Sequence, residues 1–452
     1  MNEPIETADG IQGIDALREA LREGQLDSIR KALSSMHPAE IADLLESLPG
    51  DGREELWCFI SPEIEGDVLA HTEDSVRATL LEHMLPREVA AATENLEADD
   101  VADILQDLPS TVVDEVLRSM DAQDRQRIAA VLSYPEDSAG GLMNTDTISV
   151  RDDVDVDVVL RYLRLRGSLP EQTDSLFVVD RRNKFIGTLP LTAILTGIAD
   201  QSVAEIMDTE IPGILAHTTA TDVANLFELR DLLSAPVIDE KGQLLGRITV
   251  DDVLDVIRAE GEHSIMSMAG LSEGDDIFAP VLTSARRRAI WLAINLATAF
   301  LAAWMIGRFE ATIEQLVALA ILMPVVASMG GIAGSQTLTI MIRGLALGHV
   351  NSANARSLLI KEVAVAAINA LLWATVVAVI ASLWFGSVGL GVVIGLAMSV
   401  NLLTAAFAGY AIPLVLRRLN IDPALAGGVL LTTITDVIGF VAFLGIATLV
   451  LL

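Results

Sequence analysis

The chain has 452 residues, 30 of them Lys or Arg and 62 Asp or Glu, for a net charge of −32, yet 52% are hydrophobic. Divided at residue 280, it separates into an acidic body of net charge −36 and a slab, 281–452, holding only 9 basic and 5 acidic residues. Such a body repels phosphate backbones, which excludes a nucleic acid partner, and attracts cations; the one cysteine, Cys58, excludes a disulfide framework or a Cys-rich metal site and suits a reducing compartment.

The start, MNEPIETADG, is acidic and lacks an apolar core, so no cleaved signal peptide is expected and the N-terminal body belongs in the cytoplasm. Over residues 11–135 the run EIADLLESLP at Glu40–Pro49 returns as DVADILQDLP at Asp100–Pro109, an offset of 60. Each copy is a short amphipathic helix stopped by proline, and the region reads as stacked helical hairpins. Its acidic faces are either solvated or offer contacts to a metal or a neighbouring domain.

A second repeat fills about 139–258. Phe177-Val178-Val179-Asp180 with Phe185-Ile186-Gly187 recurs as Pro236-Val237-Ile238-Asp239 with Leu244-Leu245-Gly246, each a strand, turn, strand and helix. The pair resembles tandem CBS domains, and Gly246–Asp252 is similar to that family's ribose-contacting run, with Thr249 and Asp252 in the contacting places. The first copy has Pro190 and Ala193 there, so an adenine nucleotide would be held only at the second.

From Thr249 to Met268 the pattern is helical, with Asp252 and Asp255 three apart on one face and Glu260 and Glu262 further on. These carboxylates suit a hard divalent cation, which here would bind weakly, since Mg²⁺ keeps several of its waters. A helix leading straight from such a sensor into the membrane is where a gate would be pulled; a rigid acidic connector is the other reading.

Five apolar stretches of spanning length follow, at about 289–306, 316–347, 363–385, 388–416 and 424–451. The second contains Pro324 and the glycine-rich run Gly330–Gly334, which predicts a bend or break whose freed carbonyls would line a cation path; close helix packing through small residues is the alternative. Arg286–Arg288, Arg343, Arg356, Lys361, Arg417 and Arg418 fall on one side and Arg308 on the other, so an inside N-terminus places the C-terminus outside. Asp436 sits near the middle of the fifth stretch, where a carboxylate costs at least about 2.5 kcal/mol and needs a cation, a partner, or hydrogen bonds from Thr432, Thr433 or Thr435. Glu310, Glu314, Glu362 and Asp422 lie near span ends, where solvation is expected.

Together with Met323-Pro324-Val325-Val326, Gly330-Gly331-Ile332-Ala333-Gly334-Ser335-Gln336, Arg343-Gly344-Leu345-Ala346, Asp422-Pro423-Ala424-Leu425 and Thr435-Asp436, this order of parts resembles the MgtE family of magnesium transporters. The resemblance implies a multidomain fold: an all-α helical-repeat N domain over 1–135, an α/β tandem CBS domain over 136–258, a linking plug helix and connector over 259–284, and a five-helix α transmembrane domain over 285–452. It implies a homodimer in a bacterial inner (plasma) membrane, with a pore between protomers built from the second and fifth spans. Hydrated Mg²⁺ would be held at Asp436 by outer-sphere oxygens, with hydroxyls and carbonyls around Gly331, Gln336 and Thr432. Cytosolic Mg²⁺ would close the channel by neutralising carboxylates, for which Asp252, Asp255, Glu260, Asp222 and Asp103 are the candidates.

Three places depart from the family's usual residues. Ile332 stands for an Asn, His263 and Ser264 for a Glu-Asp pair, and His217–Thr221 for several acids before Asp222. Fewer carboxylates imply blunter sensing of cytosolic Mg²⁺. Transport of another divalent ion such as Co²⁺ or Mn²⁺ is the nearest alternative, and a membrane-anchored cation or nucleotide sensor that transports nothing is the second. No Walker motif or nucleophile-base-oxyanion set is apparent, so neither an ATP-driven pump nor an enzyme is expected.

Overall fold

The computed structural model describes residues 26–271, 276–350 and 353–452; the acidic start and residues 11–25 of the helical region lie outside them. The chain forms two compact units. One runs up to Gly261 and takes in the short segment ending at Ala279; the other holds Glu262 onward and Pro280–Leu452.

The first unit opens with short helices from Leu26–Leu33 to Ala122–Val131, many of them set off by prolines such as Pro38, Pro49, Pro86 and Pro109. The sequence repeat is a repeat of burial: Ile41, Ala42, Leu44 and Leu45 of helix Pro38–Glu46, and Val101, Ala102, Ile104 and Leu105 of helix Ala98–Gln106, are each 1% exposed or less. Neither helix can cover its apolar stripe alone, so the hairpins stack into one core with Val68, Leu69, Leu80 and Leu81. Arg53 is buried among them. Its guanidinium grips Asp276 at 2.6 and 2.9 Å, and its Nε donates to Leu45 O.

The CBS pair follows as two three-stranded sheets of the same topology. Ser149–Arg151 runs parallel to Ser175–Val179, which pairs antiparallel with Phe185–Pro190; Ile214–Leu215, Ser234–Ile238 and Leu244–Thr249 repeat this. The register shifts at equivalent places, Val178/Val179 and Val237/Ile238. Ala102 and Val131 of the helical region share a core cluster with Ala139, Val237 and Ile248, which joins the two parts of this unit.

Among the described residues of the second unit, five helices are long and apolar enough to cross a membrane: Val281–Gly307, Ala318–Ala346, Ala355–Phe385, Val388–Arg418 and Pro423–Leu451. The first begins eight residues before the expected place, so Arg286–Arg288 lie inside it rather than ahead of it. Arg343 and Arg417–Arg418 likewise occupy last turns, and Arg356 and Lys361 an early part of the third helix. At about 44 Å for 29 residues, such a helix outruns a 30 Å hydrocarbon core, and its flanking cations reach the interface from within it.

Of the bend or break expected in the second span, the break is absent. Helix Ala318–Ala346 continues through Pro324 and Gly330–Gly334, because its glycines serve packing: Gly330 abuts Asn401 and Gly334 abuts Leu431. Glu362 is also not a solvated end group. It is 5% exposed, accepts from Thr337 Oγ1 at 3.3 Å and pairs with Lys361 Nζ at 3.3 Å. Asp422 caps the fifth span, accepting from the amides of Ala424 and Leu425 at 2.8 and 3.1 Å.

Candidate cation pathway and acidic cleft

Helical spacing decides which side chains of the second and fifth spans share a surface. Ser328, Gly331, Ile332, Ser335, Gln336 and Thr339 fall three or four apart on one face, while Gly330, Gly334, Thr337 and Leu338 turn into the bundle. On the fifth span Thr432 and Asp436 share a face in the same way, with Leu431, Thr435 and Gly439 buried behind them. The two faces line one open groove of about 870 Å³. All four membrane residues singled out from the sequence, Asp436, Gly331, Gln336 and Thr432, lie on it.

Asp436 is half-buried there and, among the described residues, no group donates to its carboxylate. The three nearby threonines are otherwise engaged. Thr432 donates to Gly428 O, Thr433 to Val429 O and Thr435 to Leu431 O, so their hydroxyls satisfy the helix backbone rather than the acid. A half-buried carboxylate with hydroxyls, an amide and an open glycine around it suits a hydrated hard cation. Ile332 is 56% exposed on the same surface, where Ala327 and Ile340 also interleave with the serines, threonines and Gln336.

The first unit holds a second concave site, a cleft of about 1130 Å³ between the helical region and the CBS pair. Asp252 and Asp255 line it, as do Asp100 and Asp251, which the sequence reading did not single out. Burial pushes Asp252 up to about 8, helped by Asp251 and Asp100, and pushes Asp100 up to about 6. Asp99 is raised by burial and then by Asp252; both its carboxylate oxygens are buried without a hydrogen-bond partner. The signal for these residues was the run Glu97-Ala98-Asp99-Asp100 in the first turn of the repeated helix.

The remaining candidates stand apart from this cleft. Asp103 is half-buried and pushed up to about 7 by burial, with Arg77 opposing and Glu136 adding to the shift. Asp222 is exposed in the first turn of helix Ala220–Arg230, and Glu260 is exposed where Thr221 Oγ1 reaches it at 3.5 Å. Among the described residues no three His, Cys, Asp or Glu side chains converge closely enough to hold an ion directly. Thr249 is engaged with both aspartates that follow it: its amide donates to the Asp252 carboxylate at 3.0 Å and its hydroxyl is shared between the Asp251 and Asp252 carboxylates, closing the start of helix Val250–Met268.

Residues 323–446 match a family described as a divalent cation transporter, MgtE; residues 36–137 match the MgtE intracellular N domain, and 139–200 and 203–259 match CBS domains. The magnesium transporter MgtE of Thermus thermophilus is 32% identical over 443 residues, covering 96% of this chain and 98% of that one. Its counterpart in Bacillus subtilis is 26% identical, covering 95% of each chain. The cytosolic domain of the Mg²⁺ channel MgtE, solved in complex with ATP, is similar over 54% of this chain and 99% of that chain, with 32% identity and a TM-score of 0.50. With the helical domain, the CBS pair and the five apolar helices in the order of these full-length relatives, the chain is an integral membrane protein belonging to the MgtE family of magnesium transporters.

Proposed function

We propose that Mg²⁺ crosses the membrane along the groove between the second and fifth spans, attracted by Asp436 and held as a hydrated ion by oxygens around Gly331, Gln336 and Thr432. The observation that carries this reading is the half-buried Asp436 carboxylate, which receives no hydrogen bond from the described residues and faces an open groove shared with Ser335, Gln336, Thr339 and Thr432. A groove open along one side makes half a pore, and a second copy of the chain would close it and bring a second Asp436 to the path. With the N-terminus inside, eight of the nine basic residues of the membrane half are cytoplasmic. An inside-negative potential then drives a divalent ion inward by about 4.6 kcal/mol per 100 mV.

The acidic cleft supplies the regulation in this reading. Asp99, Asp100, Asp251 and Asp252 repel one another across the boundary between the helical region and the CBS pair, and cytosolic Mg²⁺ or protons relieve that repulsion. An adenine nucleotide is a proposed ligand of the CBS pair on the strength of the ATP complex of the related domain. At the second copy it would have to displace the bonds between Thr249 and Asp252.

Mg²⁺ uptake into liposomes, with Mg²⁺ varied separately on the two sides and Co²⁺ and Mn²⁺ as competitors, tests the reading. Uptake that falls as cytosolic-side Mg²⁺ rises, with Mg²⁺ outcompeting the other ions, is expected. Absence of uptake in either orientation would favour a sensor that transports nothing.

A further inference from the structure

The fourth span carries an amide at its centre that the groove does not touch. Asn401 of helix Val388–Arg418 is 0% exposed, and its Nδ2 donates to Val326 O of the second span at 2.8 Å. Its Oδ1 is also buried and has no hydrogen-bond partner. An apolar residue of the same size would avoid that desolvation, so packing alone does not account for an amide here.

Two glycines close on this side chain. A Cβ at Gly439 would stand 2.7 Å from Asn401 Nδ2, and a Cβ at Gly330 would overlap the amide. Gly330 immediately precedes Gly331 on the groove, and Gly439 lies three residues beyond Asp436. One polar side chain is therefore wedged behind the two helical turns that present the groove's open glycine and its carboxylate, and it is bonded to the second span just over one turn before Gly331.

We propose that Asn401 is a positioning residue for transport: its amide fixes the spacing between Gly331 and Asp436 and thereby the size of hydrated cation the groove accepts. The inference rests on the reading of that groove as the ion path. Asn401 itself touches no ion. Loosening the wedge shifts the groove's oxygens relative to one another, and misplacement by about 1 Å is enough to cost as much as 100-fold in a precisely arranged site.

The test uses the full chain in liposomes, with Asn401→Leu, Asn401→Ala and Asp436→Ala measured beside the parent. The half-saturating Mg²⁺ concentration and the ratio of Mg²⁺ to Co²⁺ flux are the readouts, because a loss of folded protein lowers total flux and moves neither. Asn401→Leu is expected to raise half-saturating Mg²⁺ by about fivefold or more and to change the flux ratio. Parental half-saturation and ratio, with flux scaling only with folded protein, would overturn the proposal.

If Asn401→Leu fails to fold, the double variant Asn401→Ala/Gly439→Ala refills the vacated space. It should recover folded protein while keeping an altered ratio, and a parental ratio would again count against the wedge. A silent Asp436→Ala beside parental Asn401 variants removes this inference only. An Asp436→Ala protein that conducts like the parent removes the groove reading and this inference with it.

Discussion

His263 Nε2 lies 3.3 Å from the carboxylate of Asp422, the residue that caps the fifth span. His263 belongs to the helix Val250–Met268 that also carries Asp252 and Asp255, so a linking-helix side chain meets the start of the span that bears Asp436. An acid at position 263 would face Asp422 as a like charge, and that repulsion would need a cation to relieve it. The imidazole makes the contact without one. His263→Asp is therefore expected to lower the cytosolic Mg²⁺ concentration that half-closes the channel by about fivefold, about 1 kcal/mol of added cation coupling. An unchanged closing concentration would show that this contact does not carry the gate.

The acidic cleft and, apart from it, Asp103 make the first unit sensitive to pH. With Asp252 near 8, Asp103 near 7 and Asp100 near 6, the folded chain keeps protons that the unfolded chain releases near the ordinary value of 3.8. Stability is thus fully present below about pH 4 as far as these groups go, and is lost as pH rises through 6 to 8. In chelator, the melting temperature of the first unit should fall between pH 6 and pH 8.5. Millimolar Mg²⁺ should restore more of it at pH 8.5 than at pH 6, since the cation then takes the protons' place. A melting temperature that rises over this range would contradict the assignment.

Arg53 and Asp276 form a buried ion pair between helix Gly50–Trp57 and the connector, with the Phe278 ring 5.9 Å from the guanidinium carbon. Asp276→Ala leaves a guanidinium that is 2% exposed without its counter-charge, which costs about 3–5 kcal/mol. Chemical unfolding of the first unit checks this. A loss below about 1 kcal/mol would mean the pair is solvated and weak.

Glu362 gives a charge-neutral comparison inside the membrane half. Glu362→Gln keeps an oxygen for the Thr337 hydroxyl, whereas Glu362→Leu leaves that buried hydroxyl to its own helix. Thermal melting in detergent should place the Gln variant near the parent and the Leu variant about 1–3 kcal/mol lower. Equal losses in the two would show that the hydrogen bond is not what holds Glu362.

The elements that sequence made legible are those governed by periodicity. The Ile41/Leu44/Leu45 and Val101/Ile104/Leu105 stripes fix both buried helix faces, and the apolar strands of the CBS pair reappear 59 residues on with the same register shift. Asp436 was legible because a carboxylate in hydrocarbon is expensive wherever the helix turns it. Contacts between distant segments were not. Nothing local pairs Arg53 with a residue 223 positions away, or marks Asn401 as the neighbour of Gly330 and Gly439. The glycine run in the second span looked like a break because glycine serves both an open backbone and close packing, and only the neighbouring helices decide between them. Glu362 looked like an end group for a related reason: distance from a span end does not say which side of the helix faces the bundle.

In the proposed pathway the Asp436 carboxylate draws the cation through the groove. Replacing it with Asn preserves size and hydrogen-bonding shape and removes the charge. Initial Mg²⁺ flux into liposomes by Asp436→Asn, compared with the parent at equal amounts of folded protein, is expected to fall by at least about 100-fold, since it loses a half-buried charge aimed at a divalent ion. Flux within twofold of the parent would contradict a cation path through Asp436, whatever the first unit does.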